Sequence, residues 1–238
     1  MDTVARISID APAAVLGDIH GRADLLAQVL LEVGERQLIV VGDVVDRGHD
    51  ARQVVDTLVA RGAVGVRGNH EEWLLAWMRG EGLDDWAIKP KFGGMQTLRS
   101  YGVTGTSFYA LEAQSWRIPI EHRRFFESLA IAADVDVMGD RYWLAHAGVP
   151  LAAAIPGVAG RDVMAHLVAS RPRDLLWSRR APENMVQLDR TVIMGHVPRE
   201  EPIDTGGILA IDTGAGTMDR GRLTALLLPE RRFVISGR

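Results

Sequence analysis

The chain has 238 residues, 47% of them hydrophobic and 24% charged, with a formal charge of -4, the balance of an ordinary globular protein with one large core. It has no cysteine, which excludes disulfides, thiolate metal sites and cysteine nucleophiles together. The small acidic excess gives no support to non-specific nucleic-acid binding, and no run approaches the roughly 18 to 20 apolar residues of a membrane span.

The N-terminus carries acidic residues and no long apolar core, unlike a signal peptide, so a cytoplasmic protein is the expectation. Three short apolar runs follow, Ala13 to Leu16, Gln37 to Val41 and Ala63 to Val66. They end in "GDIHG", "GDVVDRG" and "RGNHE". Each reads as a strand that stops at glycine and then offers Asp, His or Asn just beyond the sheet edge, where open α/β sheets bind ligands. Between them, Arg22 to Val33 and Ala51 to Ala60 have helical spacing, and "RGNHEEW" enters a further helix through Leu74, Leu75 and Met78. This alternation predicts an α/β fold with parallel pairing in the first third.

From about 80 to 140 the pattern predicts a mostly helical insertion within a single domain spanning 1–238, with helices at Phe92 to Tyr101 and Glu121 to Leu129. Trp73, Trp77, Trp86, Tyr101, Phe108, Tyr109 and Trp116 are expected to pack this insertion onto the sheet, with a substrate wall as the alternative. Strands return at Tyr142 to Ala145, Thr191 to Met194 and Ile208 to Ile211, ending in "HAG", "GH" and "DTGAG". Arg222 to Leu228 and Arg232 to Ser236 form a closing hairpin or meander.

The strand ends supply Asp18, His20, Asp43, Asn69, His146 and His196. Imidazoles, carboxylates and one amide carbonyl suit Mn, Fe, Zn or Co better than an all-oxygen calcium cage. Six ligands exceed what one ion takes with an open position, so two ions sharing a carboxylate fit better. Such a pair, about 3.5 to 4 Å apart, clamps a phosphate and activates water. Arg47 and Arg67 stand beside the ligands as guanidinium forks for phosphate oxygens. His70 is placed to protonate a leaving group, with Asp46 to orient it. Asp212 is expected to serve a turn near the site.

In that order "GDIHG", "GDVVDRG", "GNHE", "HAG" and "GH" resemble the signature of the phosphoprotein phosphatases, within the calcineurin-like metallophosphoesterases. The resemblance runs on into "IDTGAG" and "LTAL" and covers most of the chain. It implies a central β-sandwich of mixed sheets flanked by helices, with a dimetal site at the carboxyl ends of the strands. It implies that Asp18, His20 and Asp43 hold the first metal, that Asp43 bridges, and that Asn69, His146 and His196 complete the second. Manganese is the first expectation, with Fe, Zn, Co, Ni or Mg as alternatives. Arg47, Arg67 and Asn69 are implied at the substrate phosphate, with a His70–Asp46 acid pair, and "LLWSRR" is similar to a segment that carries a further phosphate-binding arginine. Arg179 is the candidate there and Arg180 its rival.

The implied activity is a serine/threonine protein phosphatase of compact bacterial type, working by direct attack of a dimetal-bound water. Its partners would be phosphorylated proteins or peptides, or small phosphate esters, with no regulatory subunit. The symmetrical dinucleoside polyphosphate hydrolases look similar in all five motifs and form the alternative. A phosphate-binding adaptor without catalysis is a second alternative, against which the intact His70 and the full ligand set speak.

Overall fold

The computed structural model describes residues 4–150 and 159–237. Within them, strands build two sheets. One carries, in spatial order, β1 (Ala5–Ile9), β5 (Ala132–Val137), β6 (Asp140–Ala145), β7 (Thr191–Met194), β9 (Ile208–Ala210) and β8 (Ile203–Asp204). The other carries β11 (Arg232–Ile235), β10 (Thr224–Leu228), β2 (Ala13–Leu16), β3 (Gln37–Val40) and β4 (Val64–Gly65).

β2, β3 and β4 pair in parallel through crossovers that contain α1 (Ala23–Val33) and α2 (Ala51–Ala60), as the alternating pattern predicts. β6, β7 and β9 are parallel to one another as well. Parallel neighbours put their carboxyl ends on one edge, and each sheet therefore brings its glycine-rich loops to a common end.

The apolar strands lack alternation because both faces are covered. Ala13, Val15, Ile39 and Val41 meet Leu144, Ile193 and Leu209 between the sheets. Their neighbours Ala14, Leu16, Leu38 and Val40 turn to the cluster that contains the apolar faces of α1, α2 and α3 (Asn69–Met78). On the far side Trp143, Ala145, Val192 and Met194 pack with residues of α7 (Gly160–Ser170) and α8 (Pro172–Trp177). The layers run helix, sheet, sheet, helix. None of the helices among the described residues is long and apolar enough to cross a membrane.

The segment from 80 to 140 holds α4 (Gly94–Ser100), α5 (Phe108–Glu112) and α6 (Ile120–Ser128), but it closes with β5, which pairs with both β1 and β6. β1 and β5 are absent from the sequence reading because polar residues interrupt their apolar runs. Asp134 of β5 is buried and binds Arg141 at 2.6 Å and also Arg190. The aromatic residues divide. Trp73, Trp77 and Tyr101 are buried as expected, whereas Phe108, Tyr109 and Trp116 are 42%, 84% and 69% exposed and do not pack the insertion onto the sheet.

Leu144, wholly buried between the two sheets, tests this layering. Leu144→Ala is expected to lower unfolding stability by about 2–5 kcal/mol in chemical denaturation, because the two sheets cannot collapse into the space left. A loss well under 1 kcal/mol, about that of an exposed site, would mean that the sheets do not share this core.

Candidate active site

The strand ends meet around a cavity of about 680 Å³ whose wall includes Asp18, His20, Asp43, Asn69, His196 and Asp212. Local backbone geometry is unusual here. Among the described residues that are not glycine, His20, Asp43, Asp46, Arg47 and His196 all have φ between 48° and 71°. Such conformations cost about 1–3 kcal/mol each and persist only where the surroundings impose them.

Glu71 does much of the imposing. Its buried carboxylate accepts the N–H groups of Asp43 at 2.7 Å, Gly68 at 2.8 Å, Val44 at 2.9 Å and Val45 at 3.4 Å. It thereby closes the first turn of α3 as a capping residue and ties that turn to the loop after β3. The loop and turn are so close that a Cβ on Gly68 would collide with Oδ1 of Asp43. Gly195 stands in the same relation to Oδ1 of Asp18, and the N–H of His196 donates to both oxygens of that carboxylate at 3.1 and 3.2 Å.

Two imidazoles are oriented by backbone carbonyls. Nδ1 of His146 lies 3.0 Å from the Val41 carbonyl and Nδ1 of His20 lies 3.0 Å from that of Val45, which leaves each Nε2 with a free lone pair. Around Nε2 of His146 stand Nδ1 of His196 at 3.0 Å, Oδ1 of Asn69 at 3.2 Å and Oδ2 of Asp43 at 3.3 Å. Nε2 of His20 is 3.7 Å from the same Asp43 oxygen. Lone pairs that converge this closely need a proton or a cation among them. His196 joins this cluster even though its buried Nε2 then has no hydrogen-bond partner. Asp43 is common to two groups of potential metal ligands, His20, Asp43 and His70, and Asp43, His146 and His196. The donor set fits two divalent cations that share Asp43.

The electrostatics agree. Burial, and after it the charges of Asp212 and Asp43, hold the Asp18 carboxyl well above its ordinary range. Burial and the Asp43 charge push Glu71 from 4.5 to about 7, and burial lifts Asp212 from 3.8 to about 6 against the pull of the Gly214 N–H. Asp43 moves the other way. Burial raises it, but His146 and His70 outweigh that and take it well below its ordinary value. Burial and its His146 neighbour depress His196 to about 3, and burial also lowers His20. Burial would lower His70 and His146 too, yet Asp43 raises both. Carboxyls crowded against their own ionisation are what bound cations relieve.

His70 Nδ1 is 2.6 Å from Asp46, whose carboxylate also accepts Trp73 Nε1 at 2.8 Å and Thr97 Oγ1 at 2.7 Å. Its Nε2 lies 3.2 Å from Arg47 Nη2, at the edge of the cavity. Arg47, Lys91 and Arg179 line the cavity, whereas Arg180 lines a neighbouring one of about 290 Å³. The expected phosphate clamp Arg67 is turned elsewhere. Its Nε meets Glu72 at 2.5 Å and its Nη1 the Leu129 carbonyl at 3.2 Å, because α3 brings Glu72 round to it.

Glu71, Trp73, Thr97 and Lys91 went unread in the sequence as site residues. Glu71 had a signal, an acid three places after the Gly68 cap. Thr97, 51 residues from Asp46, had none. Asp212 accepts the Gly214 N–H at 2.9 Å, as a turn residue should, but it also lines the cavity.

The calcineurin-like phosphoesterase family matches residues 11–230. Among curated relatives, the asymmetrical bis(5'-nucleosyl)-tetraphosphatase of Anoxybacillus flavithermus is 27% identical over 239 residues, 92% of this chain and 91% of its own. Two solved structures share the fold. One, provisionally named a diadenosine tetraphosphatase, is 20% identical with a TM-score of 0.62, covering 99% of this chain and 97% of that one. The other, a protein serine/threonine phosphatase from Saccharomyces cerevisiae, is 17% identical with a TM-score of 0.57, covering 99% and 83%.

Asp212 offers a test of the crowding. Its carboxyl ionises near 3.8 in the unfolded chain and at about 6 when folded, so the stability it lends at low pH is lost as pH rises through that window. In metal-free protein, Asp212→Asn is expected to flatten the fall in thermal midpoint between those two values, followed by calorimetry in chelator. An unaltered slope would show that Asp212 is not held against ionisation.

Proposed function

The chain belongs to the calcineurin-like phosphoesterases, and from that footing we propose that it hydrolyses dinucleoside polyphosphates asymmetrically. The observation that carries this reading is the set of Arg47, Lys91 and Arg179 around one cavity. Three cations around one cavity can engage the several anionic oxygens of a chain of phosphates. The curated relative, similar along nearly its whole length, is named for such a substrate. That name also favours asymmetrical cleavage over the symmetrical kind.

In this reading Asp18, His20 and Asp43 hold one divalent cation and Asp43, Asn69, His146 and His196 the other, with manganese the first choice. When bound, the pair supplies Lewis-acid polarisation of the phosphate and a lowered pKa for the attacking water. Arg47 and Arg179 hold the non-bridging oxygens, and Arg67 reaches them only by leaving Glu72. Water oxygen bonds to phosphorus and releases a proton to solvent while the bridging P–O bond breaks, its electron pair leaving with the bridging oxygen. Asp46 keeps the His70 ring turned so that Nε2 can hand that oxygen a proton. A leaving phosphate needs this help less than a leaving alkoxide does.

A serine/threonine phosphatase is the second reading, favoured by "LLWSRR", which places Arg179 where the protein-phosphatase resemblance expects an arginine.

With manganese present, diadenosine tetraphosphate is expected to show roughly tenfold or greater kcat/KM over a phosphoserine peptide, with ATP and AMP as products. A preference for the peptide gives the site to phosphoproteins, and two ADP would make cleavage symmetrical. His70→Asn is expected to slow an alkyl phosphate by roughly a hundredfold or more and the anhydride distinctly less. Equal losses on both would remove His70 as the acid.

A further inference from the structure

Beside the metal cavity lies a groove of about 490 Å³ that shares Asn69, Phe92 and Trp177 with it. Its floor is aromatic. Trp86 meets Phe92 edge-on, with ring centres 4.6 Å apart at 85°, and Trp177 at 5.2 Å and 73°. The guanidinium of Arg173 lies 5.3 Å from the Trp177 ring centre, and Asp84 stands on the rim.

These rings are not simply core. Trp73 and Trp77, on the neighbouring helix, are buried to within a few per cent, whereas Trp86, Phe92 and Trp177 are half-buried and face open space. Half-exposed aromatic faces next to a phosphate site call for a flat, apolar ligand that is covalently tied to phosphate. A nucleobase meets that description, because it offers π faces to the rings and to the Arg173 guanidinium. The acceptor-only carboxylate of Asp84 suits an exocyclic amine.

We propose that this groove is a nucleoside subsite that holds the adenine of the AMP end of the substrate. The proposal rests on the dinucleotide reading above and deepens it. The groove and the metal cavity join at Asn69, so a base seated here brings its own α-phosphate to the metals. Cleavage at that phosphorus releases AMP. With water added at that phosphorus and ATP leaving, the solvent oxygen ends in AMP; attack at the next phosphorus with AMP leaving would put it in ATP.

The test compares AMP with ribose 5-phosphate, two monophosphates that differ by the base. Both are titrated into manganese-loaded full-length protein and followed by tryptophan fluorescence, with isothermal titration calorimetry as a probe independent of the removed indole. Wild type is expected to bind AMP roughly tenfold or more tightly than ribose 5-phosphate. The ratio is expected to fall several-fold in Trp86→Leu. It should also fall in Arg173→Ala, which trims an exposed side chain and removes only its contact with the Trp177 ring.

Equal binding of the two ligands by wild type overturns the subsite. So does a ratio retained in Arg173→Ala and in any folded Trp86→Leu. A phosphopeptide with an aromatic neighbour that outbinds AMP and loses its advantage in the same variants gives the groove to peptide and also overturns the proposal. The two readings fail separately. Turnover of diadenosine tetraphosphate without an AMP preference removes only the subsite. An AMP preference in a protein that leaves the dinucleotide intact removes only the substrate assignment.

Discussion

The site depends on a buried carboxylate that touches no substrate. Glu71 gathers four backbone N–H groups from two separate segments, and through them the loop after β3 is locked to the first turn of α3. Burying a charge is costly unless hydrogen bonds replace its water, and charge-assisted bonds to N–H groups are the stronger kind. The N-terminus of α3 adds a favourable field for an anion. Even so, burial and Asp43 push this group to about 7. Its role is to position, and the stability it adds is a lesser matter. Asp43 donates to it and Asn69 and His70 lie in the turn that it closes, so one side chain fixes the three residues proposed as bridging ligand, amide ligand and acid.

The same logic of imposed geometry extends across the sandwich. His20 and His196 come from different sheets, and each is held at positive φ. Asp18 crosses between them by accepting the N–H of His196. A cluster so assembled is rich in lone pairs and poor in protons. Its ionisation is frustrated in the bare protein, with Asp18, Glu71 and Asp212 all raised. Cations bound there would contribute to folding, since the site they would occupy does not exist in the unfolded chain.

Much of this was legible in the sequence because metal ligands at strand ends are a local signal. A buried strand reads as an apolar run, and glycine next to Asp, His or Asn marks where it stops. β2, β3 and the two histidine-bearing ends follow that rule. β1 and β5 do not, since Arg6 and Ser8 interrupt the one and Asp134, paired with Arg141 and Arg190, interrupts the other. The fate of Arg67 was also beyond local reading, because only the path of α3 delivers Glu72 to it. Thr97 serves Asp46 from a helix half a hundred residues away. The aromatic residues of the insertion look alike as letters. Their division into core, groove and exposed surface depends on which helix face each one occupies.

Substrate choice is built outside the sheets. Lys91 and Phe92 precede α4, while Trp177 ends α8 and Arg179 follows it, so this part of the cavity wall interrupts neither sheet. Such walls can change while the chemistry stays, which is why one fold serves many phosphate compounds. The wall is still not free of the site. Gly93, at φ 81°, packs so closely that a Cβ there would collide with the backbone of Arg47. Phe92 is therefore fixed relative to the Arg47 guanidinium in the cavity wall. Any side chain at position 93 would push the aromatic wall and Arg47 apart, so that the proposed base site and the proposed phosphate clamp are mechanically coupled.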